Sequence, residues 1–121
     1  MEKIIKVGDI EIPVKSTAAS LLVYKANFQR DGIKDMLSLS RGLPNDASKL
    51  DAEALAASGF DVDVFFRFLW VFAKSANKTI PPMLEWLNEF DVPSLDFILV
   101  IMPQIMDLLM STARSSVKAK N

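Results

Sequence analysis

An aromatic block in the middle of the chain constrains the fold more than any other feature. Five of the eleven aromatic residues fall within eight positions, at Phe65, Phe66, Phe68, Trp70 and Phe72. Arg67 is the only charged residue among them. The spacing predicts a helix from about Val62 to Asn77 that is apolar nearly all round, and such a helix lies at the centre of a domain. We therefore expect the core helix here, with a subunit contact along part of its stripe as the alternative.

The composition limits the chemistry that the chain can perform. There is no cysteine and no histidine, so disulfides, thiol nucleophiles and the side chain best suited to proton transfer near neutral pH are absent. The four glycines lie too far apart to form a phosphate-binding loop. The acidic residues are explained by solvated helix faces and helix N-termini. We predict a protein that is not an enzyme and that needs no cofactor and no metal.

Length and charge argue against two further classes, nucleic-acid-binding proteins and membrane proteins. The chain has 121 residues and a formal charge of −1, which fits one domain without the basic footprint of a nucleic-acid-binding protein. The most apolar stretch, Leu95 to Met110, contains about 16 residues, fewer than the ~20 that a membrane-spanning helix needs. It also contains Asp96 and Pro103. We expect a buried helix there and no membrane association.

The N-terminus predicts a β-hairpin over residues 2–15. Strand-like segments at Ile4–Val7 and Ile10–Val14 flank Gly8-Asp9, which suits a type II′ turn. Alternation puts Ile10, Ile12 and Val14 on one face of the second strand. A lone hairpin is marginal in water, so the apolar face must lie on the helices or pair with another chain.

Two helices are expected after the hairpin. Ser16 or Thr17 suits the N-cap of the first helix, and Gly32 is the expected end of that helix. The second helix is predicted from Ile33 to Leu39 by its apolar spacing. The residues expected to face inward are Ile33, Met36 and Leu37.

The remaining segments complete the predicted fold, which is α+β, mainly α. Turn-forming residues predict a loop at about 40–50, followed by a short helix from Asp51 to Ala57 that stops at Gly59. A proline break then separates the aromatic helix from a helix that Pro82 begins; its inward residues are Met83, Trp86, Leu87 and Phe90. The hairpin and four to six helices form a single domain over residues 1–121. The helical body covers 16–114, and 115–121 is expected to be a flexible polar tail.

The last helix, expected to begin at Ser94, has more apolar residues than one face can hold. One seam comprises Leu95, Ile98, Leu99, Met102, Ile105, Met106 and Leu109, and a second comprises Phe97, Val100, Ile101, Leu108 and Met110. Pro103 is expected to bend the helix. In a domain this small, one helix cannot easily bury two seams against its own fold, so we expect one seam to face the domain and part of the other to face a second subunit. Met102, Met106 and Met110 suit an adaptable contact surface; plain core packing is the alternative. The predicted interface residues are Phe97, Ile101, Met102, Met106, Leu108 and Met110.

Three motifs follow the hairpin in a defined order. They occupy Leu21–Asp31, Phe68–Ala76 and Ile80–Asp91. In this order, and over roughly residues 3–113, the chain resembles the tail assembly chaperones of long-tailed (siphovirus-type) bacteriophages and prophages of Gram-positive bacteria. Each motif alone has low specificity, and their order together with the chain length carries the resemblance.

The resemblance implies a small, mainly helical, non-catalytic protein that binds the tape measure protein and promotes tail-tube polymerisation. Further partners that it implies are the major tail protein, a frameshift-extended form of the same chain, and other copies in a homo-oligomer. The implied location is the host bacterial cytoplasm, and the protein is not expected in the mature virion. The family has no catalytic residues to carry over. The matching positions expected in the core are Tyr24, Phe28, Trp70, Trp86 and Leu87.

Three other interpretations stay open. A small structural phage component, such as a head–tail connector subunit, would also be helical and non-catalytic but would be retained in the virion. A phage-encoded regulator that binds nucleic acid is disfavoured by the balanced charge. An unrecognised enzyme is the least favoured, because the composition lacks the usual proton-transfer and nucleophilic groups.

Overall fold

The computed structural model describes residues 1–41, 51–59 and 61–113. The elements are β1 (Glu2–Val7), β2 (Ile10–Lys15), α1 (Ser20–Phe28), α2 (Gly32–Arg41), α3 (Ala52–Ser58), α4 (Val62–Ala76), α5 (Met83–Leu87) and α6 (Ser94–Ala113). A two-stranded antiparallel hairpin thus precedes a mainly helical body, and the predicted α+β class is confirmed. The predicted loop begins later than expected because α2 continues through Arg41. The rest of that loop, 42–50, and the predicted tail, 115–121, lie outside the described residues.

The hairpin pairs within the chain. Gly8 has a φ of 62° while Asp9 does not have a positive φ, as a type II′ turn requires. The apolar face lies against α4 and α6. Its buried residues are Ile5, Val7, Ile12 and Val14. Ile10, expected on the same face, lies next to the turn and is exposed.

Each edge of the hairpin is blocked at one position. Met1 and Ser16 exchange backbone hydrogen bonds of 3.1 and 2.8 Å, so alternation along the ladder points the backbone groups of Lys6 and Pro13 outward. On β1, the N–H of Lys6 donates to Gln104 Oε1 at 2.8 Å, and Gln104 Nε2 donates to the Lys6 carbonyl at 2.8 Å. On β2, Pro13 lacks the backbone N–H that would donate a hydrogen bond to a neighbouring strand. Both devices disfavour pairing with a strand of another chain.

The junction between α1 and α2 differs from the sequence prediction. The residue after α1 that takes the left-handed conformation is Gln29, with φ of 59°, and not Gly32. Gly32 instead begins α2, where a Cβ would lie 2.8 Å from Leu21 Cδ2. Glycine therefore allows α1 and α2 to approach closely. The start of α1 also lies later than expected, at Ser20, so Thr17 is outside the helix.

The inward face of α2 is also different from the predicted one. Met36 is buried as expected, but Ile33 and Leu37 are exposed. Asp35 and Leu39 are buried in their place. Apolar periodicity assigns a carboxylate to the solvent side, whereas here the Asp35 carboxylate faces inward and accepts hydrogen bonds from Tyr24 and Arg30.

The central position predicted for α4 is confirmed. Its buried residues are Val64, Phe65, Phe68, Leu69, Trp70, Val71, Phe72 and Ala73. The N–H of Val64 donates to the side chain of the N-cap residue Asp61 at 3.3 Å. Farther along α4, Trp70 Nε1 donates to the Pro81 carbonyl at 2.9 Å. This hydrogen bond holds the segment before α5 against α4. β2, α1, α2 and α5 all pack on α4.

The two short helices follow local sequence signals. The N–H of Ala54 donates to Asp51 Oδ1 at 2.8 Å at the start of α3, and Gly59 ends α3 with a φ of 75°, as predicted. In α5, Pro82 occupies the N-cap position and not the first helical position. With only five residues, α5 covers a small area of α4.

Candidate protein-interaction surface

Most of the predicted interface on α6 lies inside the chain's own core. The side chains of Phe97, Ile101, Met102 and Leu108 are buried. One broad arc of α6 takes residues from both predicted seams, because the helix packs against α2 and against β1. The prediction of an accessible contact surface is therefore wrong for these four residues. Met106 is half-buried and Met110 is 38% exposed, so these two retain accessible surface.

Pro103 lies within α6 without ending it. Its ring nitrogen carries no hydrogen and cannot donate a hydrogen bond to the carbonyl of Leu99, one turn earlier. The predicted bend of the helix stays a prediction. The neighbouring Gln104 also donates from Nε2 to the Val100 carbonyl at 2.9 Å. Among the residues that the structure describes, no helix has the length and apolarity needed to cross a membrane.

An open groove lies where α4, α5 and the start of α6 meet, with a volume of about 540 Å³. Its apolar lining comprises Phe66, Met83, Leu84, Leu87, Phe90, Val92 and Phe97. Its polar lining comprises Asp63, Arg67, Asn88 and Ser94. Three of these polar residues are exposed and Arg67 is half-buried, so polar groups form the rim while apolar groups form the floor.

Aromatic contacts fix the floor of the groove. The ring centroids of Phe66 and Phe97 are 6.1 Å apart, and those of Phe90 and Phe97 are 5.1 Å apart. Trp86 packs behind Phe90 at 5.1 Å with its ring nearly perpendicular. Edge-to-face and tilted pairs of this kind hold the rings in place. The groove is therefore a preformed surface, and Leu84 of its lining is 73% exposed.

The sequence pattern does not reveal this groove. Helical periodicity predicts that the apolar residues of α5 lie in the core, which is correct for Trp86 but incomplete for its neighbours. Met83 and Leu87 are only half-buried, and Leu84 faces outward. The available signal was Leu84, which places an apolar residue on the solvent side of a helix too short to cover α4.

A buried polar network lies beside the groove. Tyr24 Oη donates to Asp35 Oδ2 at 2.6 Å. Arg30 donates to both carboxylate oxygens, from Nε at 2.7 Å and from Nη2 at 3.0 Å. Arg67 Nη1 lies 3.7 Å from Asp35 Oδ2. Both oxygens of Asp35 are therefore engaged by partners within the chain.

The pKa values of this network are shifted by their surroundings. The hydrogen bonds from Arg30 hold the pKa of Asp35 below its ordinary value, against the opposing effect of burial. Burial, together with the hydrogen bond to Asp35, raises the pKa of Tyr24 to about 12. Shifted pKa values can mark functional sites. Here Tyr24 is fully buried and Asp35 nearly so, so a substrate cannot reach them, and the network is structural.

Arg67 joins the polar network to the groove. Its Nη2 lies 3.9 Å from Asp63 Oδ2 on the rim, and its guanidinium carbon lies 6.0 Å from the centre of the Phe28 ring. The half-buried guanidinium is thus held between a buried carboxylate, Asp35, and an exposed one. The network therefore positions one wall of the groove.

The groove is suited to binding another molecule by contact. Its lining contains no side chain paired as nucleophile and base, and within the described ranges no group of three or more acidic residues is placed to hold a metal ion. No protein-family model, curated protein or solved structure matches the chain. The groove is the candidate functional site on its geometry alone.

Proposed function

We propose that the protein is a phage tail assembly chaperone that binds the tape measure protein and promotes tail-tube polymerisation without catalysing a reaction. The observation that carries the proposal is the preformed apolar groove between α4, α5 and α6. The order of the three sequence motifs supports it through the family resemblance. The proposal includes action in the host bacterial cytoplasm and absence from the mature virion.

The groove suits a helical client. An amphipathic helix binds by laying its apolar stripe into a hydrophobic groove, and the aromatic floor offers the rigid contacts that such binding uses. Met83 adds an adaptable thioether side chain. A small molecule is less well served, because specific pockets place polar groups to converge on the ligand, whereas here they lie on the rim.

The proposal also includes the other partners that the family resemblance implies. Met106 and Met110 are the accessible members of the predicted interface on α6 and are the candidates for self-association into a homo-oligomer. The major tail protein and a frameshift-extended form of the chain are proposed partners through the family resemblance. Light scattering of the Met110→Glu variant tests self-association. A particle mass lower than that of the wild type supports self-association through this surface, and an unchanged mass contradicts it.

Two leucines provide a matched test of the groove. Leu84 is 73% exposed in α5 and Leu22 is 72% exposed in α1, so Leu→Gln at either position leaves the core intact. Leu84→Gln should weaken binding of the tape measure protein by roughly tenfold, about the value of burying one leucine. Leu22→Gln should leave it unchanged. Calorimetric titration measures both, and equal affinities for the two variants would contradict the proposal.

Mass spectrometry of purified virions tests the choice between a chaperone and a retained structural component. A chaperone should be missing from the particles. A head–tail connector subunit should be present in them at a fixed ratio to the other tail proteins, and that result would overturn the proposal.

A further inference from the structure

A second groove, the β2 groove, has a volume of about 370 Å³, and one of its walls is the run Ile10 to Pro13. Both faces of the strand contribute to this wall, because Ile12 is buried whereas Glu11 and Pro13 are exposed. The structure describes β1 in full, and no residue of β1 lines this groove. The β2 groove therefore follows the edge of β2 that faces away from β1.

The backbone N–H and C=O of Glu11 are available at this edge. Glu11 lies opposite Lys6 in the register, and Gln104 bonds both backbone groups of Lys6 from the other edge of the hairpin. Residues directly opposite each other in an antiparallel pair turn their backbone groups either toward each other or both away. Glu11 therefore turns its N–H and C=O away from β1. Within the described ranges, neither group has a partner in the chain.

Pro13 limits the length of a segment that pairs with this edge. It lies two residues beyond Glu11 and faces the same way, but it offers only a carbonyl acceptor. A long strand would lose a ladder hydrogen bond at Pro13. A short extended segment still gains both groups of Glu11 and the Pro13 carbonyl, so the edge favours a short segment over a long strand.

The wall opposite β2 is apolar and held in place. Two of its carbonyls are already engaged within the chain, that of Ile80 by Lys74 Nζ at 3.0 Å and that of Pro81 by Trp70 Nε1 at 2.9 Å. The apolar side chains of this wall are Ile80, Pro81, Trp86 and Phe90. The β2 groove thus offers hydrogen bonds on one side and side-chain contact on the other.

The charged side chains in the lining are Glu11 on β2 and Glu89 on the opposite wall, and both are exposed. Lys6, opposite Glu11 in the register, and Lys78, next to Thr79, lie outside the lining. In the part of the chain that the structure describes, neither glutamate forms an ion pair. Both walls therefore carry negative charge that a cationic ligand would complement.

We propose that the β2 groove binds a short extended segment of a partner protein, which pairs with β2 at Glu11 and places a lysine or arginine between Glu11 and Glu89. In strand addition of this kind, main-chain hydrogen bonds give affinity and side-chain contacts give specificity. The inference goes beyond the proposed function, because it concerns a different surface and an extended ligand in place of a helix.

Three short synthetic peptides test the pairing. The parent alternates valine with lysine, a second carries glutamate in place of lysine, and a third keeps the lysines but has N-methyl groups on its central backbone nitrogens. Fluorescence anisotropy with the full chain at about 0.15 M salt should show roughly tenfold weaker binding of the N-methylated peptide, because the donors to the Glu11 and Pro13 carbonyls are lost. Equal binding of the parent and the N-methylated peptide would overturn the inference.

Salt separates pairing from charge. The glutamate peptide should bind roughly fivefold more weakly than the parent at the lower salt. This difference should disappear near 1 M salt, where the Debye length is about 3 Å, while the effect of N-methylation remains. Equal binding of the lysine and glutamate peptides at the lower salt would overturn the assignment of a basic ligand.

Two glutamates near α5 give matched charge removals. Both are exposed, and Glu89 lines the β2 groove whereas Glu85 lies outside the lining. Glu89→Gln should reduce the preference for lysine by about twofold to fourfold, and Glu85→Gln should leave it unchanged. Equal reductions would assign the preference to overall charge and overturn the inference.

Amide exchange measured by NMR locates the peptide directly. The parent peptide should slow exchange of the Glu11 amide and leave unchanged the amide of Ile4, which lies opposite Pro13 and points outward from β1. Slowing at Ile4, or at neither amide, would overturn the inference. Leu84→Gln should not affect peptide binding, because Leu84 lines the first groove and not the β2 groove; a loss of binding would place the peptide in the first groove and overturn the inference.

Two occupants from the protein itself are outcomes of the same measurement. A Glu11 amide that exchanges slowly in the protein alone, and faster on dilution, would assign the edge to a second copy of the chain. Residues 114–121 contain three basic residues and no acidic one, and faster exchange after their removal would assign the edge to that segment. Either result would overturn the inference.

Discussion

The two sides of α4 are covered in different ways. On one side, Phe68 stacks on Tyr24 at a ring distance of 4.2 Å, and Asp35 satisfies the polar groups that are buried with them. On the other side, Phe66 lies at the floor of a groove that the five-residue α5 leaves open. The first side is complete within the chain, while the second exposes apolar surface. We propose that the working surface lies where the apolar core is left open, and not where the pKa values are most shifted.

The largest effect is expected from truncating the two phenylalanines. Phe68→Ala should lower the free energy of unfolding by about 3–5 kcal/mol, because the side chain is fully buried. Phe66→Ala should cost roughly 1–2 kcal/mol, because Phe66 is half-buried. Urea denaturation measures both values. Equal losses would show that the groove side is packed as completely as the Tyr24 side.

The next effect concerns the buried carboxylate. Asp35→Asn should lower the free energy of unfolding by about 2–4 kcal/mol, because it leaves two arginines without their shared anion; the partial exposure of Arg30 keeps the loss from being larger. Asp63→Asn, at a side chain that is 79% exposed, should change it by less than about 0.5 kcal/mol. A similar loss in both variants would contradict the structural role of the buried network.

The same carboxylate predicts the acid dependence of stability. The pKa of Asp35 is lowered in the folded protein, so the unfolded chain takes up the proton first as the pH falls. The stabilising contribution is therefore complete above the ordinary pKa of about 4 and is lost as the pH falls through the folded value. The free energy of unfolding should fall more steeply below about pH 4 in the wild type than in Asp35→Asn.

A smaller and more direct effect concerns Tyr24, the one tyrosine of the chain. Its phenolate absorbance should rise near pH 12 in the folded protein and near pH 10 in urea, the ordinary tyrosine value. Because the folded pKa is raised, the stabilising contribution is complete below about pH 10 and is lost as the pH rises through the folded value. A native titration midpoint near pH 10 would show that Tyr24 is accessible and would remove the distinction between the two sides of α4.

Local signals predicted much of the fold. The bounds of α4, the hairpin turn at Gly8, and the start and end of α3 all follow from periodicity, caps and glycines close to each element. The burial of Tyr24 and Trp86 was also expected. These features depend on neighbours within a few residues, which a single sequence displays.

Features that depend on distant partners were missed. Asp35 faces inward only because Tyr24, Arg30 and Arg67 converge on it, and periodicity alone assigns an acid to solvent. The two seams of α6 merge into one buried arc because both α2 and β1 pack on that helix. The groove requires three helices to meet around Phe66, and its residues carry the same apolar pattern as the core.

The most direct test of the groove is amide hydrogen exchange of the protein, measured with and without the tape measure protein. Binding should slow exchange at Met83–Val92 and at the start of α6, while β1, β2 and α1 remain unchanged. Protection confined to the hairpin or to Met106–Met110, with none at Met83–Val92, would contradict the assignment of the groove as the client-binding surface.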